Sequence, residues 1–154
     1  MTFFGSEDMR TLPLDIEKLI PHRDRMKLLN DVLDVNAEMA VTSSLVSDRW
    51  PLFHGSFVDP VVLIELVAQT AGVLISWKKG MDKGEGGVGW LVGIKVADFF
   101  LDRIPLHTEL ITTVKNLYSA DGYNVIEGTV MTGTELLCRV QIQIFHNVTP
   151  PIED

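Results

Sequence analysis

Hydrophobic residues lie on almost every side of one segment in the middle of the chain, residues 61–79, which reads VVLIELVAQTAGVLISWKK. Asp59 is a suitable N-cap for a helix here, Pro60 suits the first helical position, and Gly80 suits the position where the helix ends. A helix that is apolar on all sides is expected to be buried. We therefore predict one long helix at the centre of the fold, with Glu65 and Gln69 as its conspicuous polar residues.

Six further segments have the character of β-strands: residues 27–35, 39–46, 89–100, 109–118, 124–131 and 135–145. In the last of them, apolar residues at even positions alternate with polar ones, which is typical of a sheet with one solvent-exposed face. Turn signals at residues 121–122 and 132–134 predict an antiparallel meander for the final strands. With a short helix over residues 14–20, the pattern predicts an α+β domain in which an antiparallel sheet wraps around the long helix.

Composition favours a single domain spanning residues 1–154, because 46% hydrophobic residues at this length can bury one sizeable core. The single cysteine, Cys138, excludes an internal disulfide, and neither a signal-like segment nor a bilayer-spanning apolar run is found, so we expect a cytoplasmic protein. The net charge of −8 has the wrong sign for general attraction to nucleic acid or anionic membranes, so neither is an expected partner. The histidines lack metal-ligand spacing, so no metal is expected.

Three motifs resemble those of one known family. The sequence IPHR at residues 20–23, followed by MKLLNDVLDV, resembles the opening of 3-hydroxyacyl-acyl carrier protein dehydratases of type II fatty acid synthesis. The helix sequence VVLIELVAQTAGVL is similar to their central helix, and LVGIKVADF is similar to a third characteristic motif of the family, which follows that helix. The motifs stand in the family's order over about residues 14–145, and this resemblance implies the hotdog fold. The central helix also has a pattern similar to that of dehydratase-like proteins of aryl polyene assembly, and that subgroup is the nearest match. The residues that form this pattern are Glu65, Ala68, Gln69, Thr70, Gly72, Val73 and Trp77.

The resemblance implies acid–base chemistry on acyl thioesters carried by acyl carrier protein or coenzyme A, with no cofactor. In the family, a loop histidine takes the C2 proton of a 3-hydroxyacyl thioester, and an acidic residue on the partner subunit's central helix protonates the departing hydroxyl group. A 2-enoyl thioester results. By position, Glu65 is the helix acid, and we expect its apolar surroundings to raise its pKa. A structural carboxylate is the alternative interpretation.

The loop before the helix departs from the family pattern. Ser56 stands where the family has its histidine and cannot serve as that base, and Pro60 lacks the N–H group that the family's glycine offers to the enolate-like oxygen. His54 lies two residues away and is our candidate for a replacement base; a loop-packing histidine is the alternative. The resemblance places the substrate against five residues: Gly55, Phe57, Val61, Gln69 and Gly93.

Expectations about partners follow from the same resemblance. The family site is shared by two subunits across a sheet edge, which implies a homodimer or higher homo-oligomer, or a heterodimer with a homologous dehydratase. An acidic carrier protein would need a local basic patch on a chain of this charge. The candidates are Lys78, Lys79 and Lys83, although a solvated helix end that complements the helix dipole is the simpler explanation. His22, within the P-H-R motif, is expected to be mainly structural.

Three functions remain open. Dehydration needs Glu65 and a base, hydrolysis of acyl thioesters needs Glu65 and an accessible water, and a non-catalytic acyl-binding or heterodimer partner needs only the pocket and the dimer surface. We place dehydration first, because the helix motif keeps the family's catalytic position. The sequence around Ser56 lacks the strand–turn–helix glycine motif that surrounds the nucleophile of a serine hydrolase. The glycine-rich residues 84–89 precede a strand instead of opening a helix, so we expect them to form a mobile loop and not a nucleotide-binding loop.

Overall fold

The computed structural model describes residue 12, residues 14–80 and residues 89–146. Within these ranges the predicted central helix and all six predicted strands are present, together with two short strands and two 3-10 turns. The 3-10 turns are Ile16–Lys18 and Asp24–Met26. The remaining elements are β1 Asp31–Val35, β2 Met39–Leu45, β3 Phe57–Val58, α1 Val62–Gly80, β4 Gly89–Phe99, β5 Ile104–Pro105, β6 Glu109–Ala120, β7 Tyr123–Thr132 and β8 Glu135–His146.

The six long strands form one antiparallel sheet in the order β1-β2-β6-β7-β8-β4, and β3 pairs with β5 separately. The predicted meander of the final strands is confirmed, since β6, β7 and β8 pair in sequence. The alternation predicted for the last strand is confirmed too, because its apolar residues at positions 138, 140, 142 and 144 are buried. The sheet packs its apolar face against α1, which is the hotdog arrangement.

Two predictions at the start of the chain were wrong. The helix expected over residues 14–20 is only the 3-10 turn Ile16–Lys18, whose N-terminus is capped by the side chain of Asp15. The first strand begins at Asp31 rather than at residue 27. The reason is a tertiary one, because the backbone N–H of Leu28 donates to the buried side chain of Gln69 instead of to a neighbouring strand.

The charged and glycine-rich segments after α1 are described only in part. Lys78 is exposed at the end of α1, while the side chain of Lys79, the whole of Lys83 and the predicted loop at residues 81–88 lie outside the described residues. None of the helices in the described ranges is both long and apolar enough to cross a membrane.

A glycine in β7 lets α1 approach the sheet closely. A Cβ atom on Gly128 would collide with the side chain of Val67, which is fully buried on the helix. Close packing at this point brings the helix down onto the middle of the sheet, where Ile126 and Val130 are also fully buried. The missing side chain therefore sets the distance between the two layers.

We expect Gly128→Ala to lower the free energy of unfolding by about 1–3 kcal/mol, because the new methyl group overpacks the layer between helix and sheet. Chemical denaturation would measure the loss. The cost should shrink in a Val67→Ala background, where the colliding side chain is gone. Equal costs of Gly128→Ala in both backgrounds would contradict this account of the contact.

The strand β4 forms one edge of the sheet and carries exposed apolar residues along its length. Leu91, Val92, Ile94 and Val96 are all at least 40% exposed. Register shifts at Val92 and near Lys95 mark two bulges in its pairing with β8. The opposite edge, β1, is much shorter and has one such residue, Leu33. An edge this long and apolar is a surface where another chain can pair, so β4 is the expected edge of association.

Val92→Lys should weaken self-association about tenfold or more, since a charge on the bulge of β4 would face the partner's edge. Sedimentation velocity over a concentration series would measure it. Leu33→Lys is a matched control, because Leu33 is likewise exposed at a register shift on the other edge strand. If Leu33→Lys dissociates the protein and Val92→Lys does not, association uses β1 instead.

Candidate active site

One carboxylate opens onto a pocket on the side of α1. Glu65 lies in the first turn of the helix. Its Oε1 atom accepts a hydrogen bond from Gln69 Nε2 at 3.0 Å and lies 3.1 Å from His22 Nε2. The side chains of Glu65 and His22 are 32% and 31% exposed, respectively. A carboxylate held by two neighbours yet open to an incoming molecule is suited to proton transfer.

Gln69 holds this arrangement together from a fully buried position one turn further along α1. Its Oε1 atom accepts the N–H of Leu28 at 3.0 Å, and its Nε2 atom donates to the carbonyl of Met26 at 2.6 Å as well as to Glu65. Both N–H groups of the amide therefore have partners within the chain. The predicted contact of Gln69 with substrate stays a prediction, while its contact with Glu65 is direct.

The P-H-R motif places His22 over the helix. The guanidinium group of Arg23 donates to the backbone carbonyls of Glu17, Ile20 and His22, and it forms an ion pair with the Glu17 carboxylate at 3.1 Å. These bonds fix the segment before the second 3-10 turn. Ile20 packs so closely onto α1 that a Cβ atom on Gly72 would lie 3.3 Å from it. Arg23 thus has the structural role expected of the motif, whereas His22 contacts the candidate acid.

His22 is the site residue that sequence reasoning missed. It lies far from Glu65 in the chain, and the motif around it was interpreted as structural. Among the described residues its Nδ1 atom is buried and has no hydrogen-bond partner. The other ring nitrogen, Nε2, faces the carboxylate and donates its hydrogen to Glu65.

The pocket beside Glu65 has a volume of about 120 Å³. Most of its lining is apolar, and it comes from the segment before the second 3-10 turn, one face of α1 and the ends of β4 and β8. His22 and Glu65 are the only ionisable residues in that lining, as far as the described residues show. The lining residues on α1 are Glu65, Ala68, Gly72, Ile75 and Ser76, and the strands contribute Leu91 and Ile144.

The pKa of Glu65 is lowered, contrary to the expectation that it would be raised. Burial has the largest single effect on this pKa and raises it, as predicted. Hydrogen bonds from His22 and Gln69, together with the charge interaction with His22, lower it by more in total. The expectation considered only the apolar surroundings, and it missed the two donors that folding brings to the carboxylate.

Three further predicted site residues, His54, Gly55 and Phe57, lie in the segment before α1. His54 is exposed, and the centre of its ring lies 5.4 Å from the centre of the Phe57 ring. The backbone N–H of His54 donates to the backbone carbonyl of Phe57. Ser56 is exposed, and Gly55 has a φ of +83°, a backbone conformation that favours glycine. The guanidinium of Arg103 stacks 4.5 Å from the centre of the Phe57 ring. Within one chain, none of these loop residues lines the pocket beside Glu65.

The start of α1 is capped by its own chain. The side chain of Asp59 accepts the N–H of Val61 at 2.9 Å, and its carbonyl accepts the N–H of Val62 at 3.1 Å. Leu63 donates in turn to the carbonyl of Pro60. Asp59 is thus the predicted N-cap, and the helix-start amides that would bind an enolate-like oxygen are already occupied. Val61, a predicted substrate contact, is 46% exposed at this helix start.

Gly93, the last of the predicted substrate contacts, lies on the edge strand β4. It pairs with Gln143 of β8, and a Cβ atom on Gly93 would collide with the Gln143 side chain. Like the loop residues, Gly93 does not line the pocket beside Glu65. In the described ranges, no three His, Cys, Asp or Glu side chains come together in a group that could hold a metal ion.

Fold and site together define a hotdog domain with a carboxylate–histidine pair in an apolar pocket. The sequence matches the ApeP-like family, described as ApeP dehydratase, over residues 14–151. That match covers most of the chain, so the protein belongs to the ApeP-like dehydratase family.

Individual relatives agree with this family. The 3-hydroxyacyl-[acyl-carrier-protein] dehydratase FabZ of Cupriavidus metallidurans is 28% identical over 137 residues, which cover 82% of this chain and 91% of the relative. Its counterpart from Nitrosomonas europaea is 27% identical over 135 residues, covering 80% and 88%.

Solved structures share the fold at lower identity. The dehydratase heterocomplex ApeI:P from Xenorhabdus doucetiae contains a chain that matches with a TM-score of 0.81 and 20% identity, covering 91% of this chain and 94% of that one. A hypothetical thioesterase from Streptococcus pneumoniae, solved with coenzyme A, matches with a TM-score of 0.58 and 14% identity, covering 75% and 84%. At these identities the likeness shows the hotdog fold alone.

Replacing His22 by alanine should raise the pKa of Glu65, because the substitution removes both a hydrogen bond and a charge interaction that lower it while much of the burial remains. The carboxyl group would then take up its proton at a higher pH than in the wild type. NMR titration of the ¹³C-labelled Glu65 carboxyl carbon would measure the change, with Glu65→Gln identifying the signal.

His107→Asn provides the control, since His107 is exposed and asparagine tolerates its positive φ of 68°. An unchanged Glu65 titration in the His22→Ala variant would refute the pairing.

Proposed function

We propose that this protein removes water from 3-hydroxyacyl thioesters and that Glu65 acts at the departing hydroxyl group. In this reaction the C2–H bond breaks, its electron pair forms the C2=C3 double bond, and the C3–O bond breaks as the hydroxyl group takes a proton and leaves as water. Membership of a dehydratase family and the FabZ relatives, which are named for this reaction on carrier-bound substrates, support the proposal.

The observation that carries the proposal is the position of the Glu65 carboxylate. It opens onto an apolar pocket, it is held by Gln69 and His22, and it remains partly exposed. An acyl chain needs apolar walls, and elimination needs an acid–base group at one point along them. A carboxylate with only a structural role would not need a side that is open to the pocket.

To act as an acid, Glu65 must carry a proton when the hydroxyl group leaves. Its lowered pKa favours the carboxylate in the free protein. An acyl chain in the pocket would exclude water from this group, and burial is already the largest effect that raises its pKa. Substrate binding therefore favours the protonated form, and His22 positions the carboxyl group through its Nε2 atom.

The base at C2 is proposed to come from a second subunit. His54 does not line the pocket of its own chain, and Ser56 cannot replace it as a base. In a homodimer, the partner's copy of the loop would bring His54 to this pocket; in a heterodimer, a homologous dehydratase would supply its own histidine. The solved relative in a dehydratase heterocomplex supports the second arrangement.

The carrier is proposed to be an acyl carrier protein or coenzyme A. The curated relatives are named for the carrier protein, while the thioesterase of similar fold was solved with coenzyme A. A reaction on such carrier-bound intermediates fits the cytoplasmic location expected from the sequence.

Thioester hydrolysis is the second candidate, and the lowered pKa of Glu65 is the observation that favours it. A carboxylate that stays ionised is suited to activate a water molecule for attack on the thioester carbonyl. Both reactions need donors for a developing oxyanion, and the amides at the start of α1 are occupied by Asp59 and Pro60 in either case. We rank hydrolysis below dehydration because the chain belongs to a dehydratase family. A non-catalytic acyl-binding partner is the third candidate.

Glu65→Gln should reduce enoyl formation about 100- to 10,000-fold, the usual contribution of a general acid or base. The purified protein would be incubated with a 3-hydroxyacyl thioester on a carrier protein and on coenzyme A, and both enoyl product and free thiol would be followed. His54→Ala should cause a similar loss if a homodimer supplies the base. Glu38→Gln, at an exposed site, is the matched control.

Addition of a homologous dehydratase that has the loop histidine separates the remaining cases. Activity that appears only in the mixture, and that still needs Glu65, would identify a heterodimeric site. Thiol release that depends on Glu65 but not on His54 would favour hydrolysis. Absence of both products, in the mixture as well, would reject the enzymatic function.

A further inference from the structure

A second pocket with cationic walls lies beside the second 3-10 turn, and we call it the cationic pocket. It has a volume of about 210 Å³, and its charged lining consists of Arg25, Lys27 and Arg49 together with one acid, Asp24. Asn30 and Ser47 add neutral polar groups to the same wall. Three cations against one carboxylate make this pocket locally positive on a chain whose net charge is −8.

The two arginines have groups to offer a ligand. Arg25 donates through Nε to the backbone carbonyl of Arg49 at 2.9 Å, which holds its guanidinium against the neighbouring loop. In the described part of the chain, neither the terminal nitrogens of Arg25 nor the guanidinium of Arg49 has a hydrogen-bond or ion-pair partner. The loop itself is fixed by Ser47, whose hydroxyl accepts the N–H of Arg49.

The third cation is only weakly neutralised. Lys27 Nζ lies 3.9 Å from the Glu17 carboxylate, which also pairs with Arg23 at 3.1 Å. One carboxylate is therefore shared by two cations. A concave site with two available guanidinium forks and a lysine suits a phosphate group, whose oxygens accept paired N–H donors. A flat surface would not enclose a phosphate group in this way.

The side chain of Gln69 links the 3-10 turn beside the cationic pocket to the candidate active site. Met26 lies between Arg25 and Lys27, and its carbonyl accepts a hydrogen bond from Gln69 Nε2 at 2.6 Å. The same nitrogen donates to Glu65 at 3.0 Å. Gln69 thus connects the second 3-10 turn, which contributes Arg25 to the cationic pocket, with the Glu65 carboxylate. A substrate on a phosphopantetheine arm carries its thioester at one end of the arm and a phosphate at the other.

We propose that the cationic pocket binds the phosphate of the phosphopantetheine arm that carries the acyl thioester. This inference rests on the proposed function for its substrate class. The phosphate occurs both in a holo acyl carrier protein and in coenzyme A, so the pocket would serve either carrier.

The binding test uses free 4′-phosphopantetheine and pantetheine, which differ only in the phosphate, and needs no turnover. Isothermal titration calorimetry should show that the wild type binds phosphopantetheine more tightly than pantetheine, and that added salt weakens the difference. Arg25→Gln and Arg49→Gln should each weaken phosphopantetheine binding about tenfold and leave pantetheine binding unchanged. Lys115→Gln, which removes an exposed cation from β6, should bind like the wild type.

Kinetics on acyl-carrier-protein and coenzyme A thioesters would then show whether the pocket binds the phosphate of one carrier or of both. A raised KM with both carriers, at unchanged kcat, supports a shared phosphate site. Equal binding of phosphopantetheine and pantetheine would overturn the proposal, as would arginine variants that behave like Lys115→Gln. A loss confined to the carrier protein, without a change in phosphopantetheine binding, would overturn it in favour of docking to the carrier's surface. Because calorimetry requires no catalysis, failure of the dehydratase assay leaves this test intact.

Discussion

The buried amide of Gln69 is the interaction on which the candidate site depends. It sits on α1 with no exposure to solvent, and its two ends are used in different ways. The oxygen binds Leu28, while the nitrogen binds both Met26 and the Glu65 carboxylate. A buried amide left without partners would be costly, so the chain at residues 26–28 is held where these bonds can form. That requirement delays the start of the first strand to Asp31, and it holds the second 3-10 turn against α1.

The chemistry of Glu65 results from a balance of opposing effects. Burial in an apolar pocket raises its pKa, and the donors from His22 and Gln69 lower it further than burial raises it. The carboxylate is therefore ionised in the free protein yet lies where an entering acyl chain would shift the balance towards the acid. In the proposed dehydration, a group that responded to substrate in this way would remain charged before binding and donate a proton afterwards.

Within a single chain, the groups that the proposed reaction needs do not come together. The helix start, which might have offered amides to a developing oxyanion, is closed by Asp59 and Pro60. The loop with His54 does not reach the pocket of its own chain, and the long edge of β4 leaves apolar side chains exposed. All three features are understandable if a second subunit covers the edge and supplies the missing groups.

The sequence by itself determined the central helix, its Asp59 cap, the six strands, the meander and the polar pair on the helix. These features depend on local periodicity, on caps and turns, and on the burial of an apolar helix, all of which neighbouring residues express. Only the tertiary structure decided the partner of Glu65, the direction of its pKa shift, the start of the first strand and the grouping of Arg25 with Arg49. Each of these depends on contacts between residues distant in the chain, and no local pattern of hydrophobic and polar positions records which distant side chains will meet.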